Sequence, residues 1–307
     1  FQGGEPTLAG IGYFEYFIKR VEELNTENFA IHYSIQTNGM LVDEKYCQLF
    51  QKHNFLIGIS QDGPRECHDC NRLGSHLEGT YDRTNQAIKL LEQYHVDYNV
   101  VSVITRQMAK KPQTLFHYYE KKKYQYVQLI PCLKSLDFTS EDSLHKYDLT
   151  PHEYAQFLKD FFTLWYDAIK RNNYISVRQF DNLVLMLKGQ PAEQCGLMGR
   201  CSLQCVVEAD GSVYPCDFYV LDQYKQGNLL TNTIEDILNA PATNAFLSYE
   251  EPNHPLCNGC KVYSICGGGC KRYRSFYAED KSYCPYQDFL YDAYPRLNEI
   301  AINTKQS

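Results

Sequence analysis

The sequence predicts an α/β protein in two parts: a parallel sheet with crossover helices, then a loop-rich, cysteine-rich domain. Three observations carry this reading. Strand-like and helix-like apolar spacings alternate through the first 135 residues. Two long amphipathic segments follow them. Beyond these the cysteines crowd, eight of the thirteen falling between Cys201 and Cys284.

Residues 10–25 (GIGYFEYFIKRVEELN) carry apolar side chains at helical spacing, and 29–39 (FAIHYSIQTNG) reads as a strand entering a turn at Asn38-Gly39. Residues 41–53 are helical again, 55–63 (FLIGISQDG) a strand broken at Gly63-Pro64, and 84–95 a helix. The β-branched run 96–105 predicts a strand, 112–122 a helix, and 126–133 (YVQLIPCL) a further strand. Such alternation argues for parallel strands joined by helices, with ligands at the C-terminal strand ends. Residues 151–172 form one long amphipathic helix and 180–189 another, ended by Gly189. The composition shifts there, predicting a boundary near residue 180, with domains at 1–180 and 181–307. Within the second domain, Asp210-Gly211 marks a hairpin turn.

The chain has 307 residues, enough to bury a core, with 44% hydrophobic and 22% charged residues. The net charge is −7 with both signs dispersed, so nucleic acid is not an expected partner. No apolar run reaches the length that spans a bilayer, so no membrane partner is expected. The opening FQGGEPTLAG has neither the charged nor the apolar region of a secretory signal, and a cytoplasmic location is expected. The 26 Tyr and 16 Phe are read as packing and half-buried surface.

Thirteen cysteines, an odd number without a secretory signal, argue for thiolate ligation of metal over disulfides. The densest set is CxxC-x5-C-x3-C, formed by Cys257, Cys260, Cys266 and Cys270, with Cys284 following and Cys195, Cys201 and Cys216 upstream. Close spacing lets two thiolates converge without straining the backbone. Zinc ribbons use similar spacings, whereas iron–sulfur clusters take four thiolates each and eight cysteines would hold two. Cys205 is left over and read as a small buried hydrophobe. The pair Cys67 and Cys70, without further partners, is read as structural or incidental.

The run CGLMGRCSLQCVVEADGSVYPCDFY, then CNGCKVYSICGGGCKRYR, resembles the SPASM domain that ends many radical S-adenosylmethionine enzymes acting on peptides and proteins. Within that group, Cys216-Asp217-Phe218-Tyr219 is similar to the anaerobic sulfatase-maturating enzymes. The resemblance implies a partial (β/α)6 barrel followed by a SPASM domain. It implies two auxiliary [4Fe–4S] clusters, one on Cys195, Cys201, Cys216 and Cys270, the other on Cys257, Cys260, Cys266 and Cys284. Asp217 matches the family's catalytic base, which takes a proton as a substrate Cys or Ser is oxidised to formylglycine. Gly3-Gly4-Glu5-Pro6 resembles the family's GGEP motif. With Ser60, Arg83 and Leu133, it implies contacts to S-adenosylmethionine. Gln61 departs from the family's Ser-Leu/Ile-Asp-Gly pattern. Implied partners are an unfolded sulfatase segment and an electron donor such as flavodoxin or ferredoxin, in an anaerobic host.

The family's cluster-opening CxxxCxxC triplet does not occur in the 307 residues. These residues alone are therefore expected not to cleave S-adenosylmethionine, and a third cluster is expected on a segment preceding GGEP. Two other readings stay open: a SPASM enzyme that modifies a peptide, for example by forming a thioether, and a non-catalytic iron–sulfur or zinc protein.

Overall fold

The computed structural model describes residues 1–134, 136, 147–248 and 253–304. The chain divides into two compact units, Phe1–Leu149 with Asp160–Arg178, and Thr150–Lys159 with Gln179–Ser307.

The first unit is built on β1 (Ser34–Thr37), β2 (Leu56–Ser60), β3 (Tyr98–Ile104), β4 (Tyr126–Pro131) and β5 (Ser176–Val177). They form one sheet in the order β1-β2-β3-β4-β5 with every neighbouring pair parallel. Parallel neighbours that are also consecutive need a return crossover, which the intervening helices supply. These include Glu44–Lys52, Tyr81–Gln93 and Pro112–Lys122. Ile35, Ile57, Ile59, Val100 and Ile104 of the strands, and Phe50, Leu91 and Phe116 of the helices, are all buried. Each such side chain contributes about 1.5–3 kcal/mol of transfer free energy. Asp43 caps Glu44–Lys52 by accepting from the Tyr46 amide at 3.0 Å. Beside β1, the Phe1 ammonium donates to the Ser34 carbonyl at 2.6 Å and the Gln36 amide donates to the Phe1 carbonyl at 2.9 Å.

The second unit carries a small antiparallel sheet, β6 (Val206–Val207), β7 (Ser212–Tyr214) and β8 (Gly227–Asn228), in that order. Asp210 and Gly211 make the β6–β7 turn, with the Ser212 amide bonded to Asp210 Oδ1 at 2.9 Å. Phe180 and Leu183 pack in the same buried set as Phe289, Leu290 and Leu297.

Several limits differ from the sequence expectation. β1 begins at Ser34 instead of residue 29, and Phe29 and Ile31 ahead of it are exposed. The helix expected from residue 84 begins at Tyr81. The 19-residue helix Pro285–Asn303 lies in the region read as loop-rich; Pro295 inside it and the cysteines before it mask its periodicity. Cys205 is not a buried hydrophobe. It is exposed, with φ 51°, as the chain enters the two-residue edge strand β6. Among the described residues, no helix is long and apolar enough to cross a membrane.

Candidate functional site

In the first unit, the residues singled out from the sequence gather beyond the C-terminal ends of the strands. Glu5 follows two glycines at positive φ, 90° for Gly3 and 47° for Gly4, and caps the short helix Pro6–Ala9. Its Oε1 accepts from the Thr7 amide at 3.0 Å and the Thr37 hydroxyl at 2.7 Å, and its Oε2 from the Asn38 amide at 2.7 Å. One carboxylate thus ties the GGEP turn to the Thr37-Asn38-Gly39 turn after β1. Ser60 ends β2, and its hydroxyl accepts from Gln36 Nε2 at 3.2 Å. Arg83, exposed in the first turn of Tyr81–Gln93, donates to the Met40 carbonyl. Leu133 is half-buried just past β4.

Sequence reading missed the scaffold behind Ser60. Asp62 is buried; Arg72 donates to it at 2.6 and 3.2 Å, and the Val103 amide at 2.9 Å. His68 accepts from the Asp62 amide at 3.2 Å through Nδ1 and pairs through Nε2 with the Thr80 hydroxyl at 3.0 Å. Burial lowers its pKa to about 4, so the ring is neutral near pH 7. Gln61 bonds both main-chain groups of Gly63, accepting at 2.6 Å and donating at 2.9 Å. An amide side chain thus serves at that turn position.

In the second unit the cysteines sort into two electrostatic neighbourhoods. Cys270 feels Cys195 and Cys201, and Cys216 feels Cys270. Cys266 feels Cys257, Cys284 and Cys260. Local backbone explains the gathering. Gly196 lies against Cys270, a Cβ on it falling 3.2 Å from the Cys270 Cβ. The loops between Cys195 and Cys201 and between Cys266 and Cys270 touch backbone to backbone. A Cβ on Gly199 would fall 2.8 Å from the Gly267 carbonyl oxygen. Cys216, Cys270 and Cys284 each stand at the N-cap of a helix, Asp217–Tyr219, Lys271–Tyr277 and Pro285–Asn303.

Burial pushes the free thiols up, Cys270 to about 11 and Cys266 to about 12. Main-chain N–H groups act in the opposite sense: Phe218 on Cys216, Gly268 on Cys266, Arg272 on Cys270 and Gln287 on Cys284. Eight sulfur donors in two quartets, supplied with N–H groups that favour thiolate, fit two iron–sulfur clusters. Among the described residues, no three His, Cys, Asp or Glu side chains close on a single metal ion. Asp217 is exposed directly after Cys216. Its Oδ1 accepts from the Cys216 thiol at 3.2 Å and from the Phe218 amide at 3.0 Å. A carboxylate held beside a cluster ligand can receive a proton from a substrate that delivers electrons there.

Residues 195–261 match the SPASM family, described as an iron-sulfur cluster-binding domain. The cysteine-type anaerobic sulfatase-maturating enzyme of Clostridium perfringens is 37% identical over 311 residues, spanning 99% of this chain and 83% of that enzyme. The enzyme of the same description from Clostridium novyi is 38% identical over 272 residues, spanning 89% of this chain and 72% of its own length. The solved structure of native anSMEcpe with bound AdoMet and Cp18Cys peptide superposes with a TM-score of 0.91 at 36% identity, covering 99% of this chain and 85% of that one.

Proposed function

The chain belongs to the anaerobic sulfatase-maturating enzymes, radical S-adenosylmethionine proteins with a SPASM domain, and from this premise we propose how its residues divide the work of oxidising a Cys or Ser side chain to formylglycine. The substrate is a peptide, in keeping with the peptide-bound relative. Because both relatives are cysteine-type, we assign it a sulfatase cysteine.

Residues 1–180 form the cofactor-binding domain. There Gly3, Gly4, Ser60 and Leu133 would contact S-adenosylmethionine, while Glu5 and Arg83 shape the turns around it through Asn38 and Met40. Residues 181–307 hold the auxiliary clusters, one on Cys195, Cys201, Cys216 and Cys270, the other on Cys257, Cys260, Cys266 and Cys284. Bound S-adenosylmethionine, cleaved reductively, supplies hydrogen abstraction, and the clusters supply electron acceptance.

The substrate loses one hydrogen atom from its β-carbon, one proton from sulfur and one electron, leaving a carbon–sulfur double bond. Water replaces the sulfur, releasing hydrogen sulfide and leaving the aldehyde. Asp217 takes the sulfur proton. The observation that carries this reading is its carboxylate, one residue from Cys216 and in hydrogen-bond reach of that sulfur. Flavodoxin or ferredoxin would be the external electron partner, in the cytoplasm of an anaerobic host.

Two measurements test the reading. Anaerobic reconstitution of the 307-residue chain should bind about eight irons with matching sulfide. The product of the whole gene should convert a sulfatase cysteine peptide to its formylglycine form. One tightly held zinc without sulfide, or a thioether product in place of the aldehyde, refutes it.

A further inference from the structure

Gln61, directly after Ser60, is fully buried, and both polar atoms of its side chain are bonded. Its Oε1 accepts from the Gly63 amide at 2.6 Å. Its Nε2 donates to the Gly63 carbonyl at 2.9 Å and to the Tyr118 hydroxyl at 2.8 Å. The main chain of Gln61 is held as well: its amide donates to the Val101 carbonyl at 3.0 Å, and its carbonyl accepts from the Ser102 hydroxyl. Gly63, on which the side chain closes, has φ 90°. An aliphatic side chain of the same size would make none of the three side-chain bonds.

The network runs on from Tyr118 to the helix Tyr81–Gln93. The Tyr118 hydroxyl donates to the Tyr81 hydroxyl at 3.1 Å, with Asn85 Oδ1 at 3.5 Å, and Lys122 Nζ donates to that same Asn85 oxygen at 2.8 Å. The helix also holds the turn after β1. The Thr84 hydroxyl donates to the Asn38 carbonyl at 3.1 Å, and Arg83 donates to the Met40 carbonyl. One helix therefore carries two turns at the strand ends, the Asn38 turn directly and the turn after Ser60 through Tyr118 and Gln61.

We propose that Gln61 is a positioning residue for S-adenosylmethionine, fixing the turn after Ser60 in its binding-competent form against the helix Tyr81–Gln93. This rests on the assignment of Ser60 to the cofactor made above. Gln61 adjoins Ser60, so freedom at the turn passes to the Ser60 hydroxyl. A turn already held in place loses less freedom when a ligand docks, and binding is tighter for it. The clamp acts on binding and not on the bond that breaks, so it moves affinity and leaves turnover at saturation.

The test uses the product of the whole gene, reconstituted anaerobically, as Gln61→Met, Tyr118→Phe, the double variant and Ser60→Ala. Gln61→Met keeps length and removes donor and acceptor. The dissociation constant for S-adenosylmethionine, read by equilibrium dialysis, should rise at least about fivefold, with cleavage at saturating cofactor within about twofold of the unaltered protein. Without cofactor, hydrogen exchange at the Gly63 amide should accelerate at least about fivefold. Tyr118→Phe should weaken binding less, and the double variant about as much as Gln61→Met, because the two side chains act through one shared bond. Ser60→Ala should weaken binding too. If Gln61 serves stability alone, Gln61→Met will lower the melting temperature while the dissociation constant stays in place, and that result overturns the proposal. Additive losses in the double variant, or a fall in saturated cleavage at unchanged affinity, also overturn it. If Ser60→Ala leaves cofactor affinity intact, the Ser60 assignment itself fails, and the proposal with it.

Discussion

Alanine at Gly199 should cost the cysteine-rich unit more than alanine at neighbouring glycines, and the amounts follow from geometry. Gly199 has φ 69°, and a Cβ there would meet the Gly267 carbonyl oxygen at 2.8 Å and its Cα at 3.1 Å. Both obstacles are backbone, so neither can swing aside. Left-handed backbone costs a non-glycine residue roughly 1–2 kcal/mol, and overpacking adds about 1–3 kcal/mol. Gly199→Ala should therefore lose about 2–5 kcal/mol. Two substitutions separate these contributions. Gly259 has φ 80° with nothing within 4 Å, so its alanine should lose only about 1–2 kcal/mol. Gly196 lacks a positive φ but lies 3.2 Å from the Cys270 Cβ, so its alanine should lose about 1 kcal/mol. The assay is anaerobic iron release to a chelator across a guanidinium series, for the unaltered chain and the three variants. If Gly199→Ala releases iron no more readily than Gly259→Ala, the loop-to-loop contact does not hold the two quartets in place.

Asp217→Asn should keep its iron and its S-adenosylmethionine cleavage in the whole-gene protein while formylglycine yield falls at least about 100-fold; a normal yield removes Asp217 from the mechanism. Glu5→Gln replaces an anionic acceptor with an amide, at a cost of about 1–3 kcal/mol. Hydrogen exchange at the Asn38 amide, bonded to Glu5 at 2.7 Å, should accelerate at least about fivefold. His68 titrates near pH 6.5 when unfolded and about 4 when folded, so the unfolded chain binds the extra proton between those values. The stability of the first unit should rise with pH across that window by at most roughly 3 kcal/mol. Urea titrations at pH 5 and 7 should show the difference, and His68→Asn should reduce it.

The alternating half of the fold was legible because its helices bury one face at helical spacing while its central strands are short apolar runs buried on both faces, as at Val100 to Ser102. Ile57 and Ile59 are both buried in β2, while Phe50 and Tyr46 point inward from the preceding helix. β5 was not legible, since two residues carry no period. The Asp62 scaffold escaped for another reason. Its partners stand 10 and 41 residues away, and nothing local in SQDG says which arginine or amide will arrive. The division of the cysteines into two quartets came from the resemblance to the SPASM domain; spacing alone said only that pairs such as Cys257 and Cys260 can converge. Nothing in the run KRYR singles out Lys271 and Arg274; only burial distinguishes them.

The helix starts in the second unit follow the same logic in reverse. Serine, threonine, aspartate or asparagine at an N-cap satisfies an orphan amide, and losing one typically costs about 1 kcal/mol. Cys216, Cys270 and Cys284 occupy three such positions. A neutral thiol is a weak acceptor, so as free cysteines these caps forgo much of that stabilisation. As thiolates bound to a cluster they become anions at the positive end of a helix, where negative charge is favoured by about 0.3–1 kcal/mol. The case is clearest at Cys284, which opens 19 residues of helix. There Pro285 at the first turn lacks an N–H, so the amides of Tyr286 and Gln287 are the ones that act on the sulfur. On the cysteine assignment proposed above, each of these residues breaks a local capping preference that cluster binding would repair, which would couple cluster assembly to helix stability in this unit.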